Sequence, residues 1–586
     1  ETLERKEAGG NPNGSCVCAG NGWGAKRCGW GAVAYSEGNA PARGTLQPRG
    51  PSMLDGDRIF AAKGENPCYL LLDKANRHGL VAGATGTGKT VTLKTLAEGF
   101  SQAGVPVFLA DVKGDVTGMA QPGEDTPKLQ ERMATMGISN WTPAACPVRL
   151  WDMLGGQGIP VRVTVSDMGP ALLGQLLGLT DVQQGVPNIV FRIADSNEML
   201  LIDLKDLRAM LNFAAEHAKE YEMEYGRMSS QSIAAILRAL IAVEDQGGDV
   251  FFGEPALDLA DWMACDESGA GYVNILNAAR LISSPQIYAM FLLWMLSELY
   301  ETLPAVGDLE KPKFVFFFDE AHLLFDSCPK ELQDKIVQVV KLVRSKGVGL
   351  YFITQSPSDI PDEVLAQLSN LIQHGLRAYT PAEQKAVKAA AAAFRENPAF
   401  DSAQALLELG TSEALVSFLD EEGKPAVVER ALVVTPECSM GAADAAVLQQ
   451  VVQAQAPLME KYGTAVDRES AYELIVGQKA QAEEADALAQ ERAALEAERA
   501  AFEKQKAAEE EKAQKAAEKE AKAAAAAAAK EAERQAKAAE KAAEREAKAA
   551  QKRAEQAAKT VNSVIGQIGC EASRQLIRGL FGALKK

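Results

Sequence analysis

The chain has 586 residues, 47% of them hydrophobic, with 79 acidic against 61 basic side chains for a formal net charge of -18. That length accommodates roughly two to four domains with real cores, and the charge excludes bulk attraction to nucleic acid or to an anionic membrane, so any DNA contact must come from a local basic surface. The 9 cysteines suit a reducing compartment, the cytoplasm, better than a disulfide framework.

Residues 1–52 contain no methionine, are rich in Gly, Asn and Pro, and follow neither a strand nor a helix period, so they read as disordered or as foreign to the natural product. Cys16, Cys18 and Cys28 lack the fourth ligand and the C-x2-C spacing of a zinc site. Ordered sequence begins at Met53. The stretch HGLVA then leads into GATGTGKT (83–90), which a helical pattern follows. This is the phosphate-binding loop G-x-x-x-x-G-K-T in its required strand-to-helix context. Glycines 83, 86 and 88 let the backbone bend, so that the N–H groups of Gly83, Ala84, Thr85, Gly86, Thr87 and Gly88 face the phosphates at a helix N-terminus. Lys89 is placed to reach the β- and γ-phosphates of ATP, and Thr90 to ligate Mg2+.

GVPVFLADVKGD (104–115) is a second strand, ending in Asp111. Helical patterns such as SSQSIAAILRALIAVED dominate a span of about 123–300, which reads as a helical insertion. The apolar stretch MFLLWMLSEL (290–299) is too short to span a bilayer, so no integral membrane segment is expected. KFVFFFDEAH (313–322) is an unbroken apolar strand of the kind buried on both faces of a parallel sheet, and it ends in a Walker B pair. Asp319 would hold the metal shell and Glu320 would act as general base. The helix ELQDKIVQVVKLVRSKG carries Arg344 at its end, either as a finger supplied to a neighbouring subunit or as a solvated partner of the helix dipole. GLYFIT follows as a strand with Gln355 just past its carboxyl end, where ligands of open α/β sheets bind. Residues 371–380 and 413–433 read as late strands, the second a hairpin around Glu422 and Gly423. The ATPase domain is expected over 53–470.

Residues 471–559 are rich in Ala, Glu, Lys, Arg and Gln and should form one long charged helix, with Leu488, Leu495 and Phe502 at heptad spacing hinting at a coiled coil. Residues 560–586 form a basic amphipathic segment suited to docking on protein. The glycine pattern excludes kinase and dehydrogenase fingerprints, and no N-K-x-D motif accompanies DVTG at 115–118, which argues against a GTPase. One loop and one Asp-Glu pair mean that a single lobe must complete its site with a neighbour, so a homo-oligomeric ring is expected.

NRHGLVAGATGTGKTVTLKTLAEGFSQAGVPVFLADVKGD, FFGEPALDLADW, KPKFVFFFDEAHLLFD and KLVRSKGVGLYFITQSPSDIP together resemble the bacterial branch of the HerA-like and FtsK-like P-loop ATPases over about 64–470. The resemblance implies an α/β fold with a RecA-like core and mostly parallel sheet, a hexamer, Mg2+-dependent ATP hydrolysis, and translocation along double-stranded DNA. It carries nucleotide and metal roles to Lys89, Thr90, Asp319 and Glu320, places near the γ-phosphate to Asp111 and Gln355, and roles on a neighbour's nucleotide to Arg77 and Arg344. The archaeal β-barrel, and the membrane spans and winged helix of FtsK, have no counterpart in the sequence. A switch-like scaffold ATPase or a protein-secretion ATPase, acting on a protein partner through the C-terminal helix, are the alternatives.

Overall fold

The apolar runs become strands of one sheet: β1 (Leu54–Asp55), β2 (Arg58–Lys63), β3 (Pro67–Leu71), β4 (Gly79–Ala82), β5 (Val107–Asp111), β6 (Val148–Asp152), β7 (Ile159–Pro160), β8 (Val273–Asn277), β9 (Phe314–Phe318), β10 (Val348–Thr354), β11 (Asn370–His374), β12 (Glu413–Ser417) and β13 (Glu429–Val433). The computed structural model describes residues 53–138, 141–279, 285–307, 309–326 and 330–546. The cysteines at 16, 18 and 28 and the amphipathic segment 560–586 lie outside them. The chain divides into two units after Val476.

In the first unit the strand order is β1-β2-β13-β12-β11-β4-β10-β9-β5-β8-β6-β7, with β3 paired to β2. From β11 through β7 the neighbours run parallel, while β12, β13, β2, β1 and β3 form an antiparallel flank. The span 123–300 therefore carries three strands of the sheet, β6, β7 and β8, besides its helices. The register brings Thr354 opposite Ala82, Phe352 opposite Phe318 and Leu109 opposite Phe317. Strands β4, β10, β9 and β5 consequently end at one edge, and the chain turns there four times.

The run FVFFF reads as apolar throughout because both faces are covered. Phe314, Phe316 and Phe318 enter one core layer with Phe108, Leu350 and Phe352. Val315 and Phe317 enter the other with Leu109, Tyr351 and Ile353, beneath the helix Lys89–Gln102. Alternation at period two feeds two separate cores. The first layer is closed by helices including Val165–Leu176, Asp181–Ser196 and Pro285–Thr302. Every residue from Ile287 to Leu296 is buried. A helix apolar all round is a core helix here, and among the described residues no helix is long and apolar enough to cross a membrane. The hairpin appears as β12 and β13 paired antiparallel, with Gly423 N donating to Asp420 O at 2.9 Å in its turn.

The second unit continues a helix that spans Ala471–Glu546. Its residues are exposed from 478 to 535, and Glu511–Lys515, Glu518–Lys522 and Glu533–Lys537 pair at i,i+4 with 2.5, 2.7 and 3.2 Å separations. Alanine propensity and such pairs suffice to hold it helical without a core, each pair adding about 0.3–0.5 kcal/mol.

Two buried histidines pin the sheet to its surroundings. His78 accepts from Leu350 N at 3.0 Å through Nδ1, so its Nε2 carries the proton and donates to Val340 O at 3.0 Å. His374, at the end of β11, lies 3.1 Å from Glu413 O through Nδ1 and 2.8 Å from Thr92 Oγ1 through Nε2, linking β11 to β12 and to the helix Lys89–Gln102. Burial pushes both rings down from 6.5 to about 4. The unfolded chain therefore binds their protons first as pH falls, and stability is lost between about pH 6.5 and 4. Each ring accounts for on the order of 3 kcal/mol at the acid end of that window. The melting temperature should fall steeply there, and His374→Gln should show a shallower fall despite a lower value at pH 7; an unchanged slope contradicts this assignment.

Candidate nucleotide site at the carboxyl edge of the sheet

The chain leaves β4 through the loop 83–88 under steric pressure from two sides. Gly83 has φ +155°, and a Cβ there would stand 2.5 Å from the His374 Cβ. Gly88 has φ +111°, and a Cβ would meet the Ser412 Cα at 2.9 Å. Neither site tolerates a side chain. Backbone bonds lock the loop in place: Gly83 N donates to Thr354 O (3.2 Å), Ala84 N to Gly375 O (3.0 Å) and Ser412 N to Thr87 O (2.8 Å). Thr87 Oγ1 closes the turn onto Ala84 O at 2.7 Å. Thr85 and Gly86 form the exposed apex, and a Cβ on Gly86 would meet no atom within 4 Å.

The helix Lys89–Gln102 starts directly from the loop with no side-chain cap. Its free N–H groups and dipole make that end an anion seat. Lys89 is buried, and its Nζ donates to Gly83 O at 2.6 Å and to Ala84 O at 3.1 Å. Burial lowers its pKa, with Glu320 and Asp319 opposing. Thr90, one residue on, is half-buried in the same turn.

Across the edge, β9 delivers two carboxylates with opposite environments. Asp319 is 6% exposed, and burial raises its pKa to about 6 against the pull of Lys113. Glu320 adopts a left-handed backbone with φ +48°, unusual for a residue other than glycine, and its N–H donates to Asp319 Oδ1 at 3.0 Å. Burial alone would raise the Glu320 carboxyl, but its ion pair with Lys113 and the Gln355 amide outweigh burial and leave it below the usual range. Gln355 Nε2 donates to Glu320 Oε2 at 3.4 Å, and His322 Nδ1 lies 3.3 Å from the same oxygen. Thr354 Oγ1 and Ser356 N both donate to Asp359 Oδ2, at 2.6 and 2.9 Å, which fixes the turn bearing Gln355.

Lys89, Thr90, Asp319, Glu320 and Gln355 thus share one edge. Asp111 ends β5 at that edge, but its oxygens are taken by the N–H groups of Gly114 (2.6 Å), Val116 (3.2 Å) and Thr117 (3.3 Å), so it anchors the following turn. Arg77 and Arg344 lie at the other end of the sheet, before β4 and β10 respectively, and are not brought together with Lys89. Arg77 packs its guanidinium against Gly423. Arg344 is exposed in a single 3-10 turn, Arg344–Lys346.

Lys113, His374 and Ser412 were not singled out by sequence reasoning. Lys113 had one available signal, its place in the turn directly after a strand that ends at the carboxyl edge. The buried face of the helix Lys89–Gln102 carries a further polar group. Lys94 Nζ donates to the carbonyls of Asp115, Ser439, Met440 and Gly441 at 2.7, 2.8, 3.1 and 3.1 Å. Glu98 gathers with Cys146 and Cys438 so that their ligand atoms lie within 4.8 Å of one another. The Glu98 oxygens already accept Glu437 N (3.1 and 3.0 Å) and Cys438 N (3.3 Å), and the Lys94 ammonium stands beside the thiols, so the cluster reads as a tie between segments.

The profile of the family described as "Helicase HerA-like C-terminal" matches residues 57–509. A probable helicase of Methanocaldococcus jannaschii is 32% identical over 125 residues, 21% of this chain and 22% of that protein, so the match spans about a fifth of the relative's length. Among solved structures, the bacterial conjugative coupling protein TrwB is 14% identical, with 64% of this chain and 90% of that chain covered at a TM-score of 0.42. VirB4 of Thermoanaerobacter pseudethanolicus is 16% identical, with 67% and 99% covered at 0.40. Likenesses this loose carry no functional information. The family match takes in β2 to β13 and runs into the long helix, and the chain belongs to the helicase HerA-like C-terminal family.

Proposed function

We propose that the chain is an ATP-hydrolysing motor that works as a ring, with double-stranded DNA as its track. The observation that carries the hydrolytic part is the convergence of Lys89 with the unequal pair Asp319 and Glu320 at one sheet edge. The residues fit a Mg2+-bound triphosphate: an open glycine apex, a helix start with free N–H groups, a lysine, a hydroxyl and a buried carboxylate. The N–H groups of Gly83, Ala84 and Thr87 are taken by Thr354 O, Gly375 O and Ala84 O, so phosphate oxygens are cradled by the exposed apex at Thr85 and Gly86 and by the start of the helix, and Lys89 leaves Gly83 O to reach the β- and γ-phosphates. Thr90 and Asp319 would hold Mg2+, which when bound supplies positive charge that offsets the charge developing on the transferred phosphoryl group. Glu320, kept ionised by Lys113, accepts a proton from the attacking water, and Gln355 orients that water. Arg77 and Arg344, one strand length away in their own subunit, act on a neighbour's nucleotide.

A second reading, a secretion-type or regulatory ATPase acting on a protein partner, is favoured by one feature of the long helix. Leu488, Leu495 and Phe502 repeat every seven residues and are 46%, 48% and 68% exposed. Such a stripe suits a partner helix.

Steady-state ATP hydrolysis with and without linear double-stranded DNA tests these readings. Glu320→Gln should lower kcat by roughly 10²–10⁴-fold while retaining nucleotide binding, whereas Lys89→Ala should lose binding itself. DNA should stimulate the wild-type rate and added salt should abolish the stimulation; hydrolysis indifferent to DNA removes the DNA track and leaves the protein-partner reading. For the ring, Arg344→Ala and Lys89→Ala should each be inactive alone and regain part of the activity when mixed; no recovery contradicts action in trans.

A further inference from the structure

The cation that meets Glu320 belongs to neither phosphate motif. Lys113 sits in the turn after β5, and that turn is pinned from both sides. The Asp111 carboxylate accepts from Gly114, Val116 and Thr117, and Lys94, from the helix that follows the loop 83–88, donates to Asp115 O at 2.7 Å. Gly114, at φ +81°, gives the turn its tight reversal. The pair it presents is asymmetric: the Lys113 side chain is 47% exposed, whereas that of Glu320 is 8% exposed. The ammonium stands at the mouth of the site and the carboxylate inside it.

Lys113 also belongs to the larger charge cluster. Its pKa is raised: burial opposes the shift, but the hydrogen bond to Glu320 and the nearby Asp319 charge outweigh burial, and its charge is felt at Lys89. Both site lysines therefore rest on internal acceptors, Lys89 on Gly83 O and Lys113 on Glu320. A terminal phosphate gripped by Lys89 would enter the neighbourhood of Lys113 carrying more than one negative charge, and it competes for the ammonium against a single carboxylate. A nucleoside diphosphate presents no such group beyond the β position.

We propose that Lys113 is a positioning residue that distinguishes triphosphate from diphosphate: it holds Glu320 until a terminal phosphate draws the ammonium away, which frees the carboxylate to face the attacking water. This rests on the hydrolytic reading above. It assigns to the segment DVKGD a part in coupling nucleotide state to the base, with Asp111 serving as the anchor that aims Lys113.

The test uses the full chain with Mg2+, ADP and a non-hydrolysable ATP analogue, with affinities from calorimetry for wild type, Lys113→Ala, Lys113→Gln and Lys113→Arg. Loss of one charge-assisted hydrogen bond should weaken analogue binding roughly tenfold or more in Lys113→Ala and Lys113→Gln, while ADP affinity stays within about twofold. Lys113→Arg should restore most of the analogue affinity, and in the neutral variants KM for ATP should rise about as much as analogue affinity falls while kcat changes by less, because Glu320 is already released. Equal losses for ADP and analogue, or no loss in any variant, overturn the inference while wild-type hydrolysis leaves the ATPase reading standing. A wild-type chain that binds neither nucleotide overturns both.

Discussion

The site depends on a steric pinch. Where the chain leaves β4 it must pass between the end of β11 and the turn at Ser412, and the two glycines at the pinch, Gly83 and Gly88, have no space for a Cβ and no backbone conformation that other residues adopt readily. A loop so confined cannot relax into an ordinary helix cap. Its apex at Thr85 and Gly86 is left exposed, the helix Lys89–Gln102 begins with no side-chain cap, and the first side chain of that helix is driven under the loop. The two buried histidines serve the same end. His374 supplies one wall of the pinch, and His78 holds the start of β10 beside the start of β4.

Charge is buried around this pinch only where partners are at hand. Lys94 is enclosed by four carbonyl oxygens and Asp111 by three N–H groups. Each would otherwise cost several kcal/mol to remove from water. The Walker B carboxylates differ from these structural charges and from each other. Burial without a cation of its own leaves Asp319 raised, and the lysine at its mouth leaves Glu320 lowered. Adjacent carboxylates driven apart in this way suit the different tasks proposed for them, Asp319 beside a metal and Glu320 as a base.

What the sequence made legible was local. GATGTGKT and FVFFFDE state their chemistry over eight or so residues, and the strands at 79–82, 107–111, 314–318 and 348–354 follow from apolar runs closed by polar ends. The long helix follows from composition alone. The antiparallel flank of β1, β2 and β3 was not legible, nor was the return of β6 and β8 to the sheet from within a mostly helical span. Their identity lies in pairing with β13 and β5, far along the chain. Lys113 and Ser412 were hidden for the same reason, since their importance comes from meeting Glu320 and Gly88 across the sheet edge. Asp111 was legible as a polar strand end, yet only the fold reveals that its oxygens face the backbone of its own turn.

The central claim is that the pinched loop and its buried lysine form a seat for a Mg2+-bound triphosphate. The direct measurement is the melting temperature of the full chain titrated with Mg2+ and a non-hydrolysable ATP analogue, for wild type and Lys89→Ala side by side. A ligand that binds only the folded chain stabilises it by about 2.7 kcal/mol at a hundredfold excess over its dissociation constant. The account predicts a rising, saturating shift for wild type and little or none for Lys89→Ala. No shift in wild type, or the same shift in both, would contradict it.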